Sequence, residues 1–508
     1  MKFLKVIFSR FFWVAAALVG ELVLVVLAAA YFNEYFMWAQ IFSAVLALVI
    51  ILHLLTKKQN AEYKIPWIIM VLVMPIFGLT IYILFANPRL TKKQSKALKL
   101  ITARCQRLTG KQTNKQEIEN VLNENIGIET YLNNTSYTQG SLNNRTKFYK
   151  TGMEYFTDLI NDLKKAEKFI FMEYYTVHKG FIWNTIHRIL KEKVKQGVEV
   201  RFMYDDMGTV SLLPSNYYKK LIKEGINCRK FNPFKPVLSA VYNNRDHRKI
   251  TVIDGKVAYT GGINLADEYA NIIQPFGMWK DSGIKIEGPA IANMTIMFLQ
   301  MFDMNINAIS SYKKYLNIKY EKFDEPGYVH PYGCGPYPFY QEKVGEGSIL
   351  QLVNMSKKYV YITTPYLIVD HNMLTALKNA AYRGVDVRIV VPHIPDKKVI
   401  FEMTKSNYKP LLEAGVKIYE FTPGFMHSKQ IIIDDVAGII GTINLDFRSL
   451  VHHYECGVML YKTNSLVDIK NDFIELFRVS EEKTLKNFKR SKVSHAINAA
   501  FSLITSMM

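Results

Sequence analysis

The chain has 508 residues, 49% of them hydrophobic, and carries 64 Lys+Arg against 44 Asp+Glu, a formal net charge of +20. That length leaves room for a membrane segment and two domain-sized units, and the charge favours anionic partners: nucleic acid, an anionic lipid surface or a phosphate-bearing substrate. The four cysteines, Cys105, Cys228, Cys334 and Cys456, are too scattered for a metal knuckle and suggest no disulfide framework, which favours a reducing compartment.

Residues 1–86 read as a membrane anchor. Phe12 to Phe32 is apolar except for Glu21, Met37 to Leu55 carries no charge, and Ile65 to Phe85 is a third apolar run interrupted by Pro75 and Gly78. The first two are long enough to span a bilayer. Cleavage of the first run as a signal peptide at Ala28-Ala29-Ala30 would still leave an anchor. Basic residues flank the runs at Lys2, Lys5 and Arg10, at Lys57, Lys58 and Lys64, and from Arg89 to Arg107. The positive-inside rule places all three groups in the cytoplasm, which two spans and a re-entrant third segment satisfy and three full spans do not. The protein is therefore expected in the cell membrane, multi-pass, with the domains that follow the anchor in the cytoplasm.

Residues 87–145 are basic and polar and read as a linker, a helical or irregular connector. From residue 146 the chain alternates strand and helix patterns, twice over, giving expected domains at 146–325 and 326–480. Phe169 to Tyr175 resembles Tyr359 to Tyr366, Gln196-Gly197-Val198 matches Arg383-Gly384-Val385, and Leu221 to Gly225 matches Leu411 to Gly415. Apolar strand, helix, Gly-Val and apolar strand is the signature of an α/β fold with parallel strands and crossover helices, covered on both faces. Residues 481–508 form a basic amphipathic tail, from Lys483 to Phe501-Ser502-Leu503-Ile504, suited either to anionic lipid or to packing on the domain.

Each half ends in the same pattern, His-x-Lys-x4-Asp: His247, Lys249 and Asp254, then His427, Lys429 and Asp434. Gly261 and Asn264 follow the first His at the same offsets as Gly441 and Asn444 follow the second. Each His and Lys, two apart, share a strand face. Asp254-Gly255 and Asp434-Asp435 read as two-residue hairpin turns, placing His247 opposite Gly262 and His427 opposite Thr442. Although Asp254 and Asp434 complete the catalytic pattern, each lies about 23 Å along an extended strand from its His, and so reads as a turn residue.

Two His and two Lys can cleave a phosphodiester without a metal or other cofactor. The lysines neutralise the non-bridging oxygens, one imidazole attacks phosphorus, and the other protonates the leaving oxygen and then deprotonates the incoming alcohol. Asn264 and Asn444, with Gly262 and Thr442 beside the motif glycines, are the expected phosphate-binding set. Clustered carboxylates for a metal are missing from the motifs, and a charged Lys cannot ligate one.

The pattern is that of the phospholipase D superfamily, and its surroundings resemble bacterial cardiolipin synthases. The resemblance rests on Asn243-Asn244-Arg245-Asp246-His247-Arg248-Lys249-Ile250, on Trp279-Lys280-Asp281 followed by Glu287-Gly288-Pro289, and on Gly424-Phe425-Met426-His427-Ser428-Lys429 with Asn444-Leu445-Asp446-Phe447-Arg448-Ser449. It extends over nearly the whole chain. It implies two pseudo-symmetric α/β/α sandwich units behind a transmembrane region, transfer of a phosphatidyl group between two phosphatidylglycerols with release of glycerol, His247 as nucleophile and His427 as acid/base. Phosphatidylglycerol and anionic membrane lipid are then the partners, and nucleic acid is not. Glu455 is the expected orienting carboxylate for His427, and Asp281 or Glu268 for His247. Thr442 replaces the family's usual Ser, and His452-His453 a more frequent Leu-Asn, which bears on substrate preference. A hydrolase or membrane-tethered nuclease would use the same residues with water as acceptor.

Overall fold

The computed structural model describes residues 20, 23, 33–57, 61–74, 78–79, 81–82, 92–109, 115–233, 244–304, 312–337 and 339–488. The first apolar run, apart from Gly20 and Val23, and the C-terminal tail beyond Phe488 lie outside them. The chain forms two compact units, one of residues 1–89, 234–243 and 496–508, the other of residues 90–233 and 244–495.

In the first unit, helices run over Asn33–Thr56 and Ala61–Val73. Among the described residues no helix is long and apolar enough to cross a membrane. The third apolar run does not continue as one helix. A Cβ on Gly78 would lie 2.8 Å from the Met70 carbonyl oxygen, and the Tyr82 ring packs edge-on against Trp67 at 5.5 Å. Gly78, Leu79, Ile81 and Tyr82 therefore lie beside the helix that ends at Val73 and do not extend it.

The second unit holds two sheets with one strand order. The first runs Arg145–Tyr149, Gly283–Glu287, Val257–Gly261, Ile250–Ile253, Phe169–Tyr174, Glu199–Asp205, Asn227–Phe231. The second runs Tyr328–Cys334, His453–Tyr461, Ala437–Gly441, Gln430–Ile433, Tyr359–Thr363, Asp386–Pro392, Lys417–Phe421, Ser480–Lys483. Along each of these strand orders the three strands joined by crossover helices pair in parallel, and the hairpin and edge strands pair antiparallel. The sheets are thus mixed rather than parallel, because a tight turn can return the chain only antiparallel.

Both faces are covered, as the alternation requires. Phe169 and Phe171 enter a core shared by both sheets, with helix Ile291–Asp303 against it, whereas Ile170 and Met172 enter a separate core under helices Gly152–Lys165 and Phe181–Lys195. The helix from Gly152 begins on an N-cap: the Thr151 hydroxyl accepts from Glu154 N, and Tyr155, Phe156, Leu159 and Leu163 form its buried stripe. Gly197 and Gly384 end equivalent helices at φ +86° and +85°, and the following Val198 and Val385 donate back to Lys193 and Ala380 carbonyls, a closure that only glycine makes without strain.

The expected linker takes the helical of its two expected forms. It forms helices Lys92–Thr109, Lys115–Leu122 and Ile126–Ser136, and buries Leu98, Ile101, Cys105, Ile118, Leu122, Ile128 and Leu132 in the shared core. Its apolar residues are spaced at helical intervals rather than in runs, so a search for runs passes over them.

The hairpins are shifted by one residue from the expected register. Ile253 pairs with Val257 and Ile433 with Ala437, so each turn holds three residues, not two. Asp254 and Gly255 adopt φ of 55° and 68°, and Lys256 N donates to Ile253 O, so the expected tight turn forms but Lys256 is added as a bulge. Val436 does the same in the second copy. His247 and His427 also precede the paired strands, which begin at Ile250 and Gln430, and face neither Gly262 nor Thr442 across a ladder.

Candidate active site

Each motif enters the site on a short strand paired with the other half. Arg245–Asp246 pairs in parallel with His453-Tyr454, and His247 N donates to Tyr454 O at 2.9 Å. Gly424–Met426 pairs in parallel with Met278–Lys280, and His427 N donates to Lys280 O at 2.7 Å. These two crossings bring both motifs to one place. His247, Lys249, His427, Lys429, Asp281 and Glu455 are all at most 8% exposed.

The orienting carboxylates are crossed relative to expectation. Glu455 accepts from His247 Nδ1, at 2.9 Å to either oxygen, and Asp281 Oδ2 accepts from His427 Nδ1 at 2.5 Å. They are equivalent positions: Asp281 lies two residues before Gly283, which pairs with Gly261, and Glu455 two before Gly457, which pairs with Gly441. Each half therefore supplies the carboxylate for the other half's histidine. Glu268, the other carboxylate expected for His247, has a buried Oε2 with no partner among the described residues, and burial raises its carboxyl above the usual range.

Glu455 is heavily bound. Thr442 Oγ1 donates to it at 2.5 Å and Ser449 Oγ at 2.7 Å. Burial pushes its carboxyl up, but the adjacent His247 and His453 more than reverse that and hold it well below the usual range. Asp281 has, besides His427, the Ser282 N–H at 2.8 Å. Gly262, the counterpart of Thr442, leaves the room that Asp281 needs: a Cβ there would fall 2.0 Å from Asp281 Oδ1.

The lysines are held by their own motifs. Lys249 Nζ donates to His247 O at 2.6 Å, and Lys429 Nζ donates to His427 O. Burial lowers Lys249 to about 8 and Lys429 to about 7, against the pull of Glu455 and Asp281. Burial, with the neighbouring lysines, also lowers His247 to about 3 and His427 to about 4, which favours the neutral imidazoles at pH 7. A site that strains to hold its cations, with carboxylates already committed to histidines, is matched to an anion that arrives from outside.

The expected phosphate-binding set is engaged elsewhere in part. Gly262 N donates to Ser282 O and Thr442 N to Cys456 O, so neither N–H is free for a phosphate, and the Thr442 hydroxyl serves Glu455. Asn264 braces the site: Nδ2 donates to Tyr269 Oη at 2.7 Å and Oδ1 accepts from Thr176 N at 3.0 Å, leaving one amide proton. Asn444 Oδ1 is buried with no partner among the described residues. Asp254 and Asp434 sit in the turns, away from the histidines. Asp254 accepts from the backbone N–H of Glu167, Lys168 and Phe169, and Asp434 from Lys357, Lys358 and Tyr359, each at 2.6–2.8 Å.

Sequence reasoning passed over the aromatic and polar wall. Tyr175 and His453 lie 4.9 and 5.5 Å from the His247 ring, and Trp279 and Tyr269 lie 5.3 and 5.4 Å from the His427 ring. The immediate neighbourhood of the quoted motifs held every one of these except Tyr175. Ligand atoms of His247, His453 and Glu455 fall within 4.8 Å of one another, but Lys249 and Arg448 stand beside them and Glu455 already receives two hydroxyls, so we read the set as a hydrogen-bond network and not a metal site. In a second such group, His393, Glu420 and Glu481, both carboxylates already pair with the Lys483 ammonium.

Comparisons with known proteins bear on the family and the fold. The family model described as cardiolipin synthase, PLD-like domain, matches residues 159–291 and again 349–477, and a phospholipase D-nuclease N-terminal model matches residues 45–87. A cardiolipin synthase of Alkalihalophilus pseudofirmus is 32% identical over 453 residues, 89% of this chain and 90% of its own length. An uncharacterized protein of Streptococcus mutans is 42% identical over 452 residues, 87% of this chain and 96% of its own. The crystal structure of a phosphatidylserine synthase from Haemophilus influenzae, 14% identical, aligns over 76% of this chain and 100% of its own with a TM-score of 0.56, a likeness of fold. Both repeats match one model, and a cardiolipin synthase is 32% identical over 90% of its own length: the chain belongs to the cardiolipin synthase family of phospholipase D-like proteins.

Proposed function

We propose that the protein is a membrane-bound phosphatidyltransferase that joins two phosphatidylglycerols into cardiolipin and releases glycerol. The observation that carries this is the crossed pair, His247–Glu455 and His427–Asp281, with Lys249 and Lys429 in one buried pocket. In the first step the phosphodiester settles between the two ammonium groups. Its charge offsets their repulsion and raises the His427 pKa, so His427 enters protonated while His247, its Nδ1–H on Glu455, presents a free Nε2 lone pair. A His247 N–P bond forms, the P–O bond to glycerol breaks, and His427 gives that oxygen its proton. In the second step His427 takes the proton from the hydroxyl of a second phosphatidylglycerol, whose oxygen displaces His247 from phosphorus. General acid–base help of this kind supplies roughly 10²–10⁴ in rate.

The membrane reading rests on the apolar exposed residues of helix Asn33–Thr56, among them Met37, Trp38, Ile41, Phe42, Val45, Leu48, Val49, Leu52 and Leu55, and on the basic segments that flank it. Multi-pass anchoring with both repeats in the cytoplasm follows from that charge pattern. A site that receives both lipids from the bilayer excludes water as the acceptor. The test is the purified full chain in phosphatidylglycerol vesicles without added metal, with products identified by mass. Cardiolipin and glycerol in equal amounts are expected; phosphatidic acid alone would leave a hydrolase.

A further inference from the structure

His453 has a place in the site that the reaction above does not use. Its ring centroid lies 5.5 Å from that of His247. Arg448 Nε donates to His453 Nε2 at 3.1 Å. Arginine keeps its protons, so Nε2 is the acceptor and the proton of the neutral ring sits on Nδ1. That Nδ1 is buried, has no hydrogen-bond partner among the described residues, and stands 3.7 Å from Glu455 Oε1. Glu455 is the carboxylate that holds His247.

The other half is built differently at the same positions. The counterpart of His453, two residues before the orienting carboxylate, is Trp279, and the counterpart of Arg448, four residues after the motif asparagine, is Glu268. Neither can present a fixed imidazole N–H to Asp281. Among the described residues Asp281 has His427 and one backbone N–H, whereas Glu455 has His247 and two hydroxyls, with His453 Nδ1 3.7 Å from its Oε1.

We propose that His453 is a positioning residue: Arg448 fixes its tautomer, its Nδ1–H draws on Glu455, and this weakens the hold of Glu455 on a proton at His247, keeping His247 neutral for attack. This rests on the proposed function, in which His247 is the attacking group.

The sign of the effect follows from the groups around it. Glu455 faces His247, His453, Thr442 and Ser449, with Lys249, Lys429, Asp446, Cys334 and Cys456 within electrostatic reach; His453 faces Arg448, Asp446, His452 and Tyr175. Removing the His453 donor leaves more of the Glu455 charge for His247 and raises its pKa. The acid limb of turnover, where His247 becomes protonated and stops attacking, moves to higher pH.

The experiment measures kcat/KM for phosphatidylglycerol consumption against pH in detergent–lipid micelles, using the full chain and H453A, H453F and H453N. Consumption is read whatever the product, so a hydrolytic outcome for the parent would not disturb this test. H453A and H453F should shift the acid limb upward by about half to one pH unit, while H453N, whose amide can accept from Arg448 and donate to Glu455, should restore the parental limb. Phe keeps the ring volume, so a packing failure of the Ala variant leaves the question answerable. A limb at the parental pH in H453A or H453F, with only the amount of folded protein reduced, would overturn the proposal.

Discussion

The two histidines sit at equivalent positions of a repeat, yet their surroundings have diverged. Around His247 stand Arg448, His453, Thr442 and Ser449, a polar and partly cationic group fastened to Glu455. Around His427 stand Trp279, Tyr269 and Phe425, with Gly262 where the other half has Thr442. The duplicated backbone preserves where each imidazole is held, and the side chains that differ decide how firmly each carboxylate can retain a proton on it. A symmetric site would leave two histidines of equal basicity. One reaction needs a neutral nucleophile and a proton donor, and asymmetry supplies both.

The largest effects break that division outright. H247A and H427A should each lower turnover of phosphatidylglycerol by about 10⁴-fold or more, since each half has one His and mixing the two variants restores little. The comparison sharpens with a phosphatidyl substrate carrying a p-nitrophenolate leaving group, which needs no acid. H427A should recover release of p-nitrophenolate in its first turnover, and H247A should not. Equal recovery in both would mean that the roles are interchangeable.

The crossing of the carboxylates predicts a smaller loss with a distinctive pattern. E455Q and D281N should each cost about 10²–10⁴-fold, because an amide cannot stabilise the imidazolium and favours the wrong tautomer. E455Q should then behave like H247A with the activated substrate, and D281N like H427A. The opposite assignment would show each carboxylate serving the histidine of its own half.

The differences next to the carboxylates predict effects that are smaller again. T442V removes one of the hydroxyls on Glu455 and should lower kcat by about tenfold, as expected of a lost hydrogen bond to a charged group, with T442S close to the parent. G262A is not the mirror of that change. Its Cβ would fall 2.0 Å from Asp281 Oδ1, so the signature is a lower melting temperature together with lost activity. A G262A variant that melts and turns over like the parent would show that Asp281 does not need the space.

Much of this was legible before the structure. The repeat, the two motifs and the hairpin turns are local and leave marks at fixed spacing. The register was not, because one extra residue in a turn, Lys256 or Val436, has no sequence signature against the same residue in a strand. The carboxylate partners were not, because the crossing depends on Arg245–Asp246 with His453-Tyr454 and on Gly424–Met426 with Met278–Lys280, stretches too short to show a period. Asn264 was placed on phosphate from its spacing alone, whereas its amide also braces Tyr269 and Thr176, a tertiary choice.

The smallest effect on turnover is expected where the pattern itself includes a residue: Asp254. Both motif aspartates lie in left-handed turn positions, φ 55° for Asp254 and 53° for Asp434, and each reaches over the start of the neighbouring strand to three backbone N–H groups. The bonds fix the turn to Phe169 or Tyr359, so they set the floor of the hairpin whose other end delivers His and Lys. D254N keeps a residue that tolerates positive φ and keeps one accepting oxygen for the Lys168 and Phe169 N–H groups, but turns an NH₂ toward Glu167 N, donor against donor. A loss of about 1.5–3 kcal/mol is expected from the charged bond and the orphaned donor, seen as a melting temperature several degrees lower. The initial rate per folded molecule should stay within about twofold of the parent, because the imidazoles and lysines keep their own partners. D434N should behave alike. If D254N melts like the parent and is nevertheless as inactive as H247A, the aspartate acts on the reacting phosphate and the structural role assigned to it here is wrong.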